Sequence, residues 1–432
     1  MQARVNRLII LTVTWLLRIL CGGLFVFSGF VKAIDPWGTI FKVIEYLGAF
    51  GFDVPFPLIR LGVFALCAFE FVVGCFLILG CFRKSCPWVA LLIMFFMLPL
   101  SLWLAISDPV SDCGCFGDAL HISNWATFFK NTILTGGLIW LIFNNLKCVC
   151  LISPAFQWLA VVSSGVFILI IELIGFFYQP LLDFRGFPIG EYLFSNKQEE
   201  DNINYHFIYE KNGEKRRFTI DSIPDDTSGW HFVDREILIT DQNKKNEEKE
   251  YLHVFDVSTS EDLTEDVAGK EQNQLIVMIP KVSAVSPATT WKLNAIYEWC
   301  ENNDVEMLGV VSGSPEEIEN WEDLSMASYP IYMADDTIIK EIVRGNPGIV
   351  YLEKGKILWK SSLSAIDIDD SHNEFNDASM AEFGKWSEDT LLRCVLGYLV
   401  FIVFLILISF TPRLTRLLVK GGLASKKGVR HH

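Results

Sequence analysis

The chain has 432 residues, 51% of them hydrophobic, with a mean hydropathy of +0.34 and a formal net charge of −15. The apolar excess lies in residues 8–178 and 391–411 and the acidic excess between them, which argues against a single water-soluble globule. No segment gathers a Lys/Arg face, which argues against nucleic acid as a partner, and eleven scattered cysteines do not make a small-protein disulfide framework.

Crossing ~30 Å of hydrocarbon takes about 20 mostly uncharged residues as a helix. Six stretches qualify: roughly 8–30, 57–80, 87–107, 126–145, 156–178 and 390–411. The first follows Arg4 and Arg7 as a signal peptide would, but Arg18 interrupts it and no small-residue cleavage site follows. "RIL" ahead of Cys21 is a poor lipoprotein box, so the segment reads as a retained helix. Small residues (Gly22, Gly23, Ser28, Gly29, Gly74, Gly80) allow close helix approach in lipid. Residues 37–50, "WGTIFKVIEYLGAF", are too short and too charged to span and read as an interfacial helix. Arg18 and Glu70 each fall about ten residues from the basic end of their helices, about 15 Å at the helical rise. At matching depth, an Arg–Glu pair is the economical arrangement, either as a structural clamp or as a polar site for a quinone or a proton path. Glu172 is a weaker candidate of the same kind.

Basic residues set the orientation. Arg4 and Arg7, Arg83 and Lys84, Lys147, and the tail Arg413, Arg416, Lys420, Lys426, Lys427 and Arg430 occupy alternate connections that contain no acidic residue. Under six spans these fall on one side, which predicts cytoplasmic termini, with the 107–125 loop and residues from about 180 to 389 outside. Cys81, Cys86, Cys148 and Cys150 then face the reducing side. Cys113, Cys115 and Cys300 face the oxidising one. Cys21, Cys67, Cys75 and Cys394 lie inside helices as small apolar residues.

The 107–125 loop reads "SDPVSDCGCFGDALHISNW". A four-ligand metal site lacks ligands there, since only His121 is close to the two thiols, and no metal is expected. A Cys-x-Cys disulfide closes a small ring that resists the preferred dihedral, which makes it more easily reduced than a structural bridge. The pair is either a working redox centre or a structural or inherited one. "LFVFSGFVKAIDPWG" (24–38), "AFEFVVGCFLILG" (68–80) and "DCGCFGD" (112–118) resemble the DoxX/MauE superfamily of four-helix membrane proteins, over about residues 10–147. The resemblance implies Cys113 and Cys115 as outer-face thiols, Lys32 as the family's lysine after helix one, and a link to quinone-coupled sulfur or disulfide chemistry. The bundle is similar in outline to that of the vitamin K epoxide reductase family, but the second outer-loop thiol pair of those relatives is absent.

Residues 183–193 read as a segment packed close to the membrane, and "YHFIYEKNGEKRRFTI" (205–220) as a hairpin turning at Asn212-Gly213. Further strands are expected at 230–240 and 251–258, and a solvated loop at 241–250. From 272 strands and helices alternate: a strand at 274–280, a helix at 288–303, a strand at 305–313, a capping-box helix from Ser314, then a short helix and hairpin over 338–362. This succession resembles the thioredoxin fold, and the resemblance places Pro347 at the family's cis-proline. Ser283 and Ser286 stand where its Cys-x-x-Cys would fall. Serine hydroxyls cannot shuttle electrons, so the domain is expected to be redox-dead. Cys300 is expected to be a buried structural residue.

The expected fold is therefore a multi-pass α-helical membrane protein, a four-helix bundle (1–150) plus two further spanning helices (151–182 and 390–432). It carries an extracytoplasmic α/β thioredoxin-like domain (272–389) preceded by a β-rich segment (183–271). The expected setting is a bacterial inner membrane, in contact with the lipid bilayer, with a periplasmic or membrane protein partner docking on the acidic soluble domain. Two functions stay open: a quinone-linked thiol oxidoreductase component acting through Cys113 and Cys115, or a non-catalytic anchoring subunit of a larger complex.

Overall fold

The computed structural model describes residues 2–107, 114–120, 122–180, 182–195, 205–211, 214–218, 231–237, 251–268, 272–285, 289–366 and 388–428. The chain divides into two compact units, Met1–Arg185 with Lys385–His432, and Gly186–Gly384.

The first unit is helical: α1 (Gln2–Ile34), α2 (Pro36–Ala49), α3 (Phe56–Leu79), α4 (Cys86–Ser107), α5 (Asn124–Asn144), α6 (Gln157–Phe177) and α7 (Glu388–Gly428). Among the described residues six helices are long and apolar enough to cross a membrane: Arg4–Ile34, Phe56–Leu79, Cys86–Ser107, Asn124–Lys147, Pro154–Phe177 and Thr390–Phe410. This is a multi-pass helical membrane protein. α1 packs along α3 and α4 along α5, while α6 covers α1 and α3 and α7 lies on α6. Tyr398 of α7 hydrogen-bonds Ser164 of α6 (2.7 Å) and donates to Cys75 Sγ of α3 (3.4 Å).

Glycines set the α1–α3 spacing. A Cβ at Gly29 would lie 2.5 Å from the Phe71 nitrogen, and one at Gly74 2.5 Å from the Val26 nitrogen. Backbone therefore meets backbone at this crossing, as small residues permit in lipid. Gly23, by contrast, faces open space. α2 is started by Asp35, whose Oδ1 accepts from Gly38 N (3.0 Å), and is pinned by Trp37, stacked on Phe176 at 4.8 Å. The basic connections converge on one end of the bundle: Arg83 donates to the carbonyls of Leu146 and Cys148, and Ser409 near the end of the sixth span accepts from Ser153 N.

Arg18 does not pair with Glu70. Its guanidinium donates to the carbonyls of Leu77 (2.9 Å), Ile78 (3.0 Å) and Val149 (3.1 Å), and lies 4.2 Å from the Trp15 ring centroid. The last carbonyls of α3 have no intrahelical donor, and Arg18 supplies one. Gly80 (φ +68) leaves room for it, since a Cβ there would fall 2.1 Å from Nη2. The depth estimate failed because α1, at ~1.5 Å per residue, is about 50 Å long and starts well before the bundle. Ten residues into the apolar run thus bring Arg18 level with Leu77, not with Glu70.

The second unit contains two sheets. β1 (Tyr205–Lys211), β2 (Glu214–Phe218) and β3 (His231–Ile237) form an antiparallel sheet in the order β2-β1-β3, with Lys211 opposite Glu214. The Asn212-Gly213 turn and the 241–250 loop lie outside the described residues. The expected strand at 251–258 is absent: Phe255 makes only isolated bridges to Asp262 and Met333. Asp256 instead starts a turn, accepting from the amides and hydroxyls of Ser258 and Thr259.

The larger sheet comprises β4 (Gln274–Ile279), β5 (Glu306–Val311), β6 (Ile331–Met333), β7 (Gly348–Glu353) and β8 (Lys356–Ser362) in the order β6-β5-β4-β7-β8. β4, β5 and β6 are parallel, and β7 and β8 antiparallel. With α8 (Thr264–Val267) ahead of β4, α9 (Thr290–Asn302) between β4 and β5, α10 (Pro315–Ser325) after β5 and α11 (Asp336–Ile342) before β7, this is a thioredoxin-like topology. Both faces are covered. Leu275, Val277 and Ile279 pack with Leu293, Ile296 and Ile318 on one side, while Ile276 and Met278 pack with Ile339 and Ile342 on the other. Phe187 and Leu193 of the 183–193 region, and Phe194 just after it, are buried in this second core, with Tyr192 bridging Lys356. β6 is three residues long, too short to show an alternating pattern.

Candidate functional site

The site grows from the α1–α3 crossing. Ser28 and Lys32, four residues apart, share one face of α1, and the bare backbone at Gly29 lets that face come onto Glu70 of α3. Lys32 Nζ donates to Glu70 Oε1 (3.0 Å) and Oε2 (2.9 Å), with both side chains 5% exposed. Ser28 Oγ lies 2.8 Å from Glu70 Oε2 and 2.8 Å from the Cys115 carbonyl, so its proton is shared between the two. The ion pair is thereby tied to the loop that carries the cysteines.

That loop explains the "CGCFG" string physically. Gly114 (φ +59) and Gly117 (φ +53) occupy left-handed backbone that disfavours side chains, and Gly117 N closes on the Gly114 carbonyl at 3.0 Å. The resulting turn presents Cys115 and Phe116 together. Phe116 is buried against Phe27 (5.3 Å), with Lys130 Nζ 4.1 Å above its ring. The phenylalanine anchors the turn, and Ser28 fixes the Cys115 carbonyl. Cys113 and His121 lie outside the described residues.

Between α1, α3, α4 and α5 lies a small pocket that Ser28, Lys32, Glu70, Cys115, Phe116, Lys130 and Asn131 help to line. The remaining wall is apolar. Asn131 is 4% exposed and its Nδ2 has no hydrogen-bond partner. A buried amide donor without an acceptor is costly and calls for one. Neither Lys130 nor Asn131 stands out in the sequence, although a Lys-Asn pair inside an otherwise apolar span is the signal that would have found them.

The other expected residues lie elsewhere. Arg18 belongs to the basic end of the bundle. Glu172 is fully buried in α6 and neither of its oxygens has a hydrogen-bond partner. In the second unit Ser283 is exposed in a short 3-10 turn after β4, and Ser286 lies outside the described residues. The Asn346–Pro347 peptide is cis, and Asn346 Nδ2 donates to the Lys281 carbonyl at 2.8 Å, so the two loops meet. Cys300 is fully buried in α9, and burial pushes its thiol up to about 12.

The bundle that builds this pocket has relatives. Residues 10–144 match the family described as methylamine utilisation protein MauE. The match runs from within α1 to the end of α5, includes the four helices that line the pocket, and ends before α6. Residues 203–241, the small β1–β3 sheet, match a domain of unknown function (DUF8463). No curated protein matches the chain. Solved structures similar to it include an uncharacterized conserved protein from Geobacillus kaustophilus (14% identity, 33% of this chain and 78% of that one, TM-score 0.21). A thiol peroxidase from Chromobacterium violaceum (12%, 34% and 82%, 0.21) and Mycobacterium tuberculosis AhpC (13%, 42% and 83%, 0.20) are also similar. The fold of the second unit rests on its own strand order.

Proposed function

We propose that the protein is a membrane component of thiol–disulfide redox chemistry in which Cys113 and Cys115 exchange with a protein dithiol, and the thioredoxin-like unit docks that partner. The observation that carries the reading is Cys115 lining the pocket, with its carbonyl held by Ser28 of the Ser28–Glu70–Lys32 chain. The match to MauE over α1 to α5 supports a redox-associated membrane role. The setting proposed is a bacterial inner membrane with both termini cytoplasmic and residues about 180–389 periplasmic, on the charge asymmetry of the connections.

In the proposed step a partner thiolate attacks the Cys113–Cys115 disulfide and forms a mixed disulfide. The partner's second thiol then releases it, leaving the partner oxidised and both cysteines reduced. Lys32 lies within electrostatic reach of Cys115, where a cation stabilises a developing thiolate. Glu70 balances that charge and Ser28 positions it. The mostly apolar wall supports a quinone as the electron acceptor of this reading. Phe116 and Lys130 would hold it, and the chemistry it supplies is acceptance of two electrons and two protons.

Ser283 at the position of the family's first cysteine favours a second reading, a non-catalytic anchoring subunit. The test uses purified full-length protein in the oxidised state, mixed with a reduced dithiol peptide without air. One peptide disulfide formed per chain, lost in Cys113→Ser and Cys115→Ser, supports the redox reading. No transfer, with a stoichiometric partner co-purifying, would establish the scaffold instead.

A further inference from the structure

Three lysines come to the Cys115 turn, and two of them bring a carboxylate with them. Lys32 Nζ lies 2.9 Å from Glu70 Oε2. The stem of Lys42 lies against Gly114, where an added Cβ would meet its Cγ at 3.2 Å, and its Nζ is 3.5 Å from Glu45 Oε2. Lys130 differs: among the described residues no carboxylate pairs with it, and its ammonium sits 4.1 Å from the Phe116 ring centroid. It is half-buried in the second turn of α5 and lines the same small pocket as Cys115. Phe116 follows Cys115 directly, so the ring that holds the ammonium keeps it beside that cysteine. An unmet cation inside a spanning helix is costly and marks a functional position.

We infer that Lys130 is the positioning residue that sets the charge at Cys115, its ammonium stabilising the thiolate form of that cysteine. The Lys32–Glu70 and Lys42–Glu45 pairs face the turn from α1, α3 and α2 and each carries no net charge, so Lys130 supplies the positive field. α4 brings Ile93, Met94 and Met97 to the pocket, which are uncharged. The side chains of Asp112, Asp118 and His121 on the loop itself lie outside the described residues. The assignment rests on the redox reading for its biological meaning. As a partner thiolate bonds to the Cys113 sulfur, the Cys113–Cys115 bond breaks and its electron pair goes to Cys115, where Lys130 meets the charge. The partner's second thiol then closes the partner disulfide, and the two partner protons end on Cys113 and Cys115. A leaving thiol held as its anion departs faster.

The experiment measures the pH dependence of iodoacetamide alkylation at Cys115, on the reduced full chain in lipid nanodiscs. Cys113→Ser leaves one loop thiol to report. In that background the rate midpoint should lie below the value of about 8.5 of an unperturbed thiol. Lys130→Met should raise the midpoint by about one pH unit, and Lys130→Arg, which keeps the charge, should leave it where it was. Lys130→Gln repeats the measurement should the Met variant fail to fold. A midpoint at or above that of an unperturbed thiol with Lys130 in place would overturn the assignment, and that reading needs no Lys130 variant. A midpoint that neither neutral variant moves, or that Lys130→Arg moves as far as they do, would overturn it too.

The profile is read on reduced protein with neither partner nor oxidant present, which separates it from the exchange itself. A low midpoint that depends on Lys130, in a protein whose intact pair transfers no disulfide to the dithiol peptide, sustains the charge assignment and sinks the redox function. Transfer with a midpoint indifferent to Lys130 does the reverse.

Discussion

Removing one partner of the Lys32–Glu70 pair should cost far more than removing both. The two side chains are 5% exposed, with Nζ 2.9 and 3.0 Å from the carboxylate oxygens. At an effective dielectric of about 20 the attraction at that separation is about 6 kcal/mol, a gross figure offset by desolvation of both ions. Lys32→Met leaves a buried carboxylate with only the shared Ser28 proton, and Glu70→Gln leaves a buried ammonium facing a neutral amide. Each is expected to destabilise by about 3–5 kcal/mol. The double variant buries no charge and keeps an acceptor for Ser28, so it should recover most of the loss. A double-mutant cycle by SDS titration in mixed micelles should give a coupling larger than either single loss, about 5 kcal/mol or more. Single losses that add up to the double within about 0.5 kcal/mol would refute the argument that the two charges hold each other in place.

Further outcomes follow from the same geometry. Gly29→Leu should unfold the bundle or force α1 off α3, because its Cβ alone would sit 2.5 Å from the Phe71 nitrogen. Loss of the folded fraction in detergent checks this, and an unchanged thermal midpoint would contradict it. Arg18→Met removes three hydrogen bonds to carbonyls and should cost about 3 kcal/mol or more, with little effect on thiol exchange at the other end of the bundle. Cys300, fully buried and with its thiol pushed up to about 12, should resist iodoacetamide at pH 8 until the second unit is denatured, as mass mapping would show. The side-chain hydroxyl of Ser258, with further hydrogen bonds from it and Thr259, holds Asp256 down to about 2. A depressed carboxylate contributes stability that is present above the unfolded value near 4 and is lost as pH falls through about 2. Asp256→Asn should flatten that acid limb of the second unit's unfolding curve.

The spans were legible because ~20-residue apolar runs have one physical meaning, and the thioredoxin-like sheet because its strands are continuous apolar stretches buried on both faces. The role of Gly29 and Gly74 was legible in kind, since small residues permit close crossing, but not which backbone each would meet. What failed was depth. Arg18 and Glu70 were paired by counting residues from apolar boundaries, and counting does not reveal that α1 begins far outside the bundle. The ion pair formed instead with Lys32, which the family resemblance had marked as the lysine after helix one. Ser28 was read only as a small packing residue and the Lys130-Asn131 pair was passed over, because a polar residue in an apolar helix gains meaning only from the cavity it faces. The strand expected at 251–258 lost to turn chemistry: the Asp256 side chain offers Ser258 and Thr259 an alternative to ladder bonds.

The most direct test of the redox account is alkylation trapping of Cys113 and Cys115 in intact cells, with the quinone pool held oxidised or reduced. The account predicts a disulfide when the pool is oxidised and alkylated thiols when it is reduced. A pair that stays in one state under both conditions would contradict it.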